Sequence, residues 1–199
     1  MSRPKAWTGC LVRVLWLGLS GFVTLDGCAS SPPVQYFALE PIAAGGPRIA
    51  PRLTIIQVAQ VHLPPTLDQK QMVRHTGPYT LQISDQHRWS APLDEMIRRV
   101  LSQDLIEMLP PHSVVLPNEP VPSATRKIVV NVLEFAPDAA GTIQFKGTWS
   151  LIGTGQPPQS RYVALSEAAD AKDTADQVKG MSRILSRLAM QMAQAAAGP

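Results

Sequence analysis

The sequence predicts an α+β domain in two layers, an antiparallel or mixed β-sheet with two amphipathic helices on one face. Three observations predict it. Ile143, Phe145, Gly147, Trp149 and Leu151 alternate with Thr142, Gln144, Lys146, Thr148 and Ser150. That is the period of a half-buried antiparallel strand. Residues 93–109 and 174–196 carry apolar side chains at helical spacing along one side. The order is strands, helix, strand, three-stranded meander, helix, and elements with one apolar face each bury those faces against one another.

The elements follow in order. Gln35 to Leu39 reads as a short edge-like strand, and residues 42–51, rich in Ala, Gly and Pro, as a loop. Residues 52–61 read as a strand whose alternation slips near Ile56, the mark of a bulge or of burial on both faces. Pro64 and Pro65 then forbid a continuing ladder, so His62 to Lys70 is a loop, expected to be exposed, that carries Leu63 and Leu67. Residues 71–74 and 79–84 are short strands separated by Gly77-Pro78. Before the first helix, Ser90 is the candidate N-cap, Pro92 suits the first turn, and Asp94 and Glu95 favour the positive end of the dipole. Pro110-Pro111 stops this helix. Residues 113–116 form a short strand. Residues 126–135 form a strong one, in which Ile128, Val130, Val132 and Phe135 are interleaved with Val129 and Leu133. A five-residue connection at 136–140 leads into the alternating strand, 153–158 turns the chain, and residues 161–166 complete the meander. Thr174 with Gln177 resembles a capping box at the start of the last helix.

The N-terminus directs the chain elsewhere than the cytoplasm. Arg3, Lys5 and Arg13 precede an apolar run of 12 residues, 14–25. This is the layout of a secretory signal. As a helix the run spans about 18 Å, too short for a hydrocarbon core of about 30 Å. Gly27-Cys28 at its end resembles a bacterial lipobox, with Cys28 as the lipidated N-terminus and Asp26 as the departure from the motif. Ala29 after the cysteine, rather than Asp, resembles outer-membrane sorting. The expected organisation is a signal peptide over 1–27, a lipidated tether over 28–34, and one domain over 35–199.

Composition narrows the function. The net charge is +3, but the leader holds Arg3, Lys5 and Arg13 against Asp26, which leaves +1 after its removal. Nucleic-acid binding gains no support. The cysteines are Cys10 and Cys28, so the body of the chain has no disulfide, thiol nucleophile or thiolate metal site. Catalytic signatures are absent: there is no GxSxG, HExxH, P-loop or dinucleotide fingerprint. Gly153-x-Gly155 runs into prolines and is a turn. His62, His75, His87 and His112 lack metal-ligand spacing with a carboxylate, and only His75 and His87 flank a hairpin that could bring them together. No cofactor and no metal are expected, and the chain reads as a non-enzyme. What stands out is apolar surface in loops. Leu63, Pro64, Leu67, Asp68 and Trp89 are the candidate partner-binding residues. The competing interpretation is that Trp89 packs under the helix start and the leucines fold back onto the sheet.

These residues carry a family resemblance. Tyr36-Phe37-Ala38-Leu39 soon after the lipobox, Ile55 to Val61, Leu63-Pro64 before Leu67-Asp68, Gln71-Met72-Val73-Arg74, and Arg88-Trp89-Ser90-x-Pro92-Leu93 opening a helix resemble the ABC-type transport auxiliary lipoprotein family. Its members include the PqiC-like lipoproteins of paraquat-inducible, MCE-type systems. The resemblance runs from Tyr36 to the last helix; Pro65 is a small variation. It implies a non-catalytic lipoprotein anchored on the periplasmic face of the outer membrane. It also implies partners: an MCE-domain (PqiB-like) protein that forms a lipid tunnel, and an inner-membrane permease. A homo-oligomer stays open. The alternative is a structural or assembly-factor lipoprotein that binds a β-barrel protein or the cell wall.

Overall fold

The computed structural model describes residues 32–42, 49, 55–153 and 156–197. Cys28, the leader, most of the 42–51 loop and Gly155 lie outside them. The strands are β1 (Gln35–Phe37), β2 (Ile56–His62), β3 (Gln71–Gly77), β4 (Thr80–Trp89), β5 (Val114–Val115), β6 (Arg126–Pro137), β7 (Thr142–Gly153) and β8 (Gln156–Ala168). The helices are α1 (Leu93–Met108) and α2 (Thr174–Ala197).

The strands divide between two sheets, so the fold is α+β with mixed sheets. Five form the main sheet in the order β5-β2-β6-β7-β8. β2 lies parallel to both β5 and β6, and β6, β7 and β8 form the antiparallel meander. Three form a smaller sheet in the order β1-β4-β3, with β1 parallel and β3 antiparallel to β4. Alternation alone did not separate these sheets. β4 shows why they part: from Thr80 to Ile83 its residues are all exposed, so it has no continuous apolar face to join a sheet beneath the helices.

The core lies between the main sheet and the helix pair. β7 contributes Ile143, Phe145, Trp149 and Leu151 to it, as the alternation predicts. β6 contributes Ile128, Val130, Val132 and Phe135, and Phe135 meets Phe145 edge to face with centroids 5.4 Å apart. α1 packs on β2 and β5, α2 on β7 and β8, and the helices pack on each other. Gly180 allows the close approach of α2. A Cβ there would run into Ile143 Cδ1. Glu167 on β8 pairs with Arg183 and Arg187 of α2 at 2.6 and 3.0 Å and fastens that helix to the edge strand.

Several local expectations shift. The bulge of β2 falls between Val58 and Gln60, two residues beyond the predicted slip. Pro92, not Ser90, occupies the N-cap of α1, and no side chain caps it. The Ser90 N–H instead donates to the Phe37 carbonyl at 2.9 Å, because β1 lies alongside. At α2 the cap is Asp173, not Thr174: its Oδ1 accepts from the N–H groups of Ala175 and Asp176 at 2.8 and 3.2 Å. Gln177 reaches the carbonyls of Asp170 and Ala171 rather than closing a capping box. β8 begins at Gln156, so Pro157 and Pro158 are strand residues rather than turn residues. They are tolerated because β8 is the edge of the sheet and because its pairing with β7 shifts between Leu151 and Gly153, opposite these prolines, where the regular ladder is interrupted.

Candidate functional site

The segment after β2 is held close to β6. His62 pairs with Asn131, so the loop that follows lies beside the next residues of β6. A tight turn forms over the prolines. The N–H groups of Leu67 and Asp68 both donate to the Pro64 carbonyl, at 2.9 and 3.2 Å, and Gln69 Nε2 donates to the Thr66 carbonyl at 2.8 Å. This turn points Leu67 inward, where it is 7 % exposed. Leu63 and Pro64 are half-buried, with Leu63 packed against the core, and Asp68 is exposed. Trp89, 5 % exposed, closes β4 beneath the start of α1. The expectation of an exposed loop therefore holds for Pro65, Thr66 and Asp68 and fails for Leu67. Leu67 and Trp89 fold back onto the body, because a Leu or a Trp loses most by staying in water.

β6 supplies the apolar surface that the loop does not. The pairing with β7 slips between Val132 and Glu134, and this bulge turns Leu133 out to solvent at 63 % exposure. Thr66, Leu67, Val73, Leu81 and Leu133 border a cleft of about 140 Å³. Leu81 on β4 is itself exposed. A charged rim adjoins. Glu134 accepts from Lys146 at 2.8 Å and stands 3.8 Å from His75 Nε2. The Glu134 carboxylate raises the Lys146 pKa through this hydrogen bond and its charge, so the ammonium stays charged. Sequence reasoning missed Leu81, Leu133 and the His75–Glu134–Lys146 rim. A signal for Leu133 was present: the core residues Val132 and Phe135 are three apart, an odd step that a regular strand cannot place on one face.

His75 and His87 do not meet. His75 faces Glu134, and His87 packs edge to face on Phe37 and lies 3.4 Å from Thr174 Oγ1. Among the described residues no three His, Cys, Asp or Glu side chains come together to hold a metal. No helix among them is long and apolar enough to cross a membrane.

Comparison with known proteins decides the family. Residues 37–193 match the model of the ABC-type transport auxiliary lipoprotein component, over more than half of the chain. The chain belongs to the ABC-type transport auxiliary lipoprotein family. It is 28 % identical to the intermembrane transport lipoprotein PqiC of Escherichia coli (strain K12) over 182 residues, covering 90 % of this chain and 95 % of that one. The Shigella flexneri protein of the same name matches equally. Two crystal structures share the fold. One is of an uncharacterized protein, with TM-score 0.71 and 22 % identity, covering 82 % of this chain and 99 % of that one. The other is of a Xanthomonas campestris protein, with TM-score 0.69 and 15 % identity, covering 82 % of this chain and 95 % of that one. Family membership makes this chain an auxiliary lipoprotein component of a transport system. The matched span begins in β1 and ends within α2, so it includes both sheets, both helices and the cleft.

Proposed function

We propose that this auxiliary lipoprotein is anchored through Cys28 on the periplasmic face of the outer membrane and serves an MCE-type, ABC-driven lipid transport system between the two membranes. In this reading residues 1–27 are the signal peptide and 28–34 the tether. The domain docks the far end of a PqiB-like MCE tunnel protein, whose other end meets an inner-membrane permease. It performs no catalysis. The name of the PqiC relatives, intermembrane transport lipoprotein, supports the route between membranes. The observation that carries the docking surface is Leu133, a large apolar side chain that a bulge holds out in water beside the proline loop. Leu81, which lines the same cleft, and Leu63, Pro64 and Asp68 of the proline loop are the further contact residues. Leu67 and Trp89 hold the loop and strand from beneath.

The test is crosslinking and affinity capture of the tagged protein from intact envelopes. An MCE-domain protein is the expected main partner. Leu133→Asp changes only an exposed residue, and surface changes of this kind leave stability within about 0.5 kcal/mol. The variant should remain folded and lose capture about tenfold, the effect of removing about 1.4 kcal/mol of contact. Capture of a β-barrel protein or of cell-wall material as the main partner would replace this reading with the assembly-factor alternative.

A further inference from the structure

The apolar side chains left in water are unevenly distributed. Ten large ones are exposed among the described residues, and five belong to the small sheet or its approach: Val34, Tyr36, Tyr79, Leu81 and Ile83. Tyr79, at the turn between β3 and β4, is 99 % exposed, and Ile83 is 51 % exposed. β3 rests on the body only through its proximal part, where Arg74 donates to the Ala171 carbonyl at 3.0 Å and His75 faces Glu134. Beyond it Thr76, Pro78 and residues 79–83 are all exposed, and the hairpin forms a projecting arm. From His75 to the turn at Pro78-Tyr79 the hairpin projects about 10 Å.

The topology sets this arm on the side from which the chain enters β1. β1 pairs parallel to the end of β4, with Gln35 opposite His87, so the chain enters β1 from the side where the earlier residues of β4 form the arm. Six residues separate Cys28 from Gln35, so the seven steps between them reach at most about 25 Å. We infer that the tip of the β3–β4 hairpin, with Tyr79 foremost and Ile83 behind it, is a membrane-contact element that seats the domain on the phospholipid surface holding its anchor. The inference rests on the proposed lipidation of Cys28. Its chemistry suits that surface. Tyrosine favours the boundary between headgroups and acyl chains, where its ring is apolar and its hydroxyl wet. The projecting residues 76–83 carry no charged side chain, so no ion has to leave water when the tip meets the headgroups. The contact gives the arm an occupant for its apolar side chains and fixes the orientation of a domain that a tether alone would leave free to rotate.

The test uses the acylated mature protein on vesicles of phosphatidylethanolamine and phosphatidylglycerol with brominated acyl chains. Tyr79→Trp places an indole at the tip. Val121→Trp places one in the exposed loop before β6, at the opposite end of that strand from the bulge. Trp89 and Trp149 are buried and supply a constant background. The expected result is bromine quenching several-fold stronger for Tyr79→Trp than for Val121→Trp. Membrane-bound protein with equal quenching at the two positions would overturn the membrane contact and leave the anchor standing. Mature protein that carries no acyl group and does not sediment with vesicles would overturn the anchor, and this inference with it.

Discussion

Asp104 is a carboxylic acid in an apolar place. It lies 1 % exposed on the inner face of α1, in the stripe of Ile97, Leu101, Leu105 and Met108. Oδ1 accepts from the Ile42 N–H at 3.2 Å, and Oδ2 has no partner among the described residues. Burial pushes its pKa up to about 7, against a smaller opposing effect of the Ile42 N–H. Folding therefore takes up a proton between the ordinary value of 3.8 and about 7. Stability falls as pH rises through that window and is level above it. Asp104→Asn keeps an acceptor for Ile42 and cannot ionise. It should be on the order of 2–4 kcal/mol more stable than the parent near pH 8, with the difference shrinking toward about pH 4. Urea unfolding of both proteins across that range measures it, and a difference independent of pH would exclude Asp104 as the titrating group. Sequence reasoning passed over Asp104, although it stands three residues after Leu101 and four after Val100 on the apolar side. The Ile42 contact was not legible in sequence, because 62 residues separate the two groups.

At the scale of elements, apolar periodicity carried further than caps did. Both helices and the meander strands occur where alternation or helical spacing places them, since burial of a face is repeated at many residues and survives a local misreading. A cap is decided by one or two hydrogen bonds, and tertiary neighbours redirect them. Ser90 was drawn off by β1, and Asp173 displaced Thr174. Leu63 and Leu67 show the same limit in a loop. Their apolar character was plain, but their direction was set by the Pro64 carbonyl turn. The α2–β7 contact offers a sharper test. Gly180→Ala drives a methyl into Ile143 Cδ1 and should destabilise the domain by about 1–3 kcal/mol. Ile143→Val deletes that Cδ1, so the double variant should recover more than the two single effects predict. Thermal unfolding of the four proteins gives the coupling. Strict additivity would show that the glycine serves something other than this contact.

At the scale of the whole molecule, the proposed anchor is tested at Cys28. Cys28→Ser should leave the folded domain unchanged and remove it from membranes or trap the precursor. Fractionation with mass measurement of the N-terminus decides this, and a mature chain that begins elsewhere while staying membrane-bound would end the lipoprotein assignment of that cysteine. The layer arrangement was legible from amphipathic faces alone. The separation into two sheets was not, because β1, β3 and β4 are assembled by pairings that no local pattern announces. The parallel placement of β2 has a consequence in time. Its two partners, β5 and β6, come later in the chain, and Ile56 pairs with Arg126 across 70 residues. The meander from β6 to β8 closes through short connections and can form quickly on its own contacts. β5 can cover one edge of β2 once Val115 has arrived, but the other edge stays bare until the chain beyond Arg126 is present. In a polypeptide delivered N-terminus first, that interval is when this interior strand is open to pairing with another chain, and it ends only when the meander joins it.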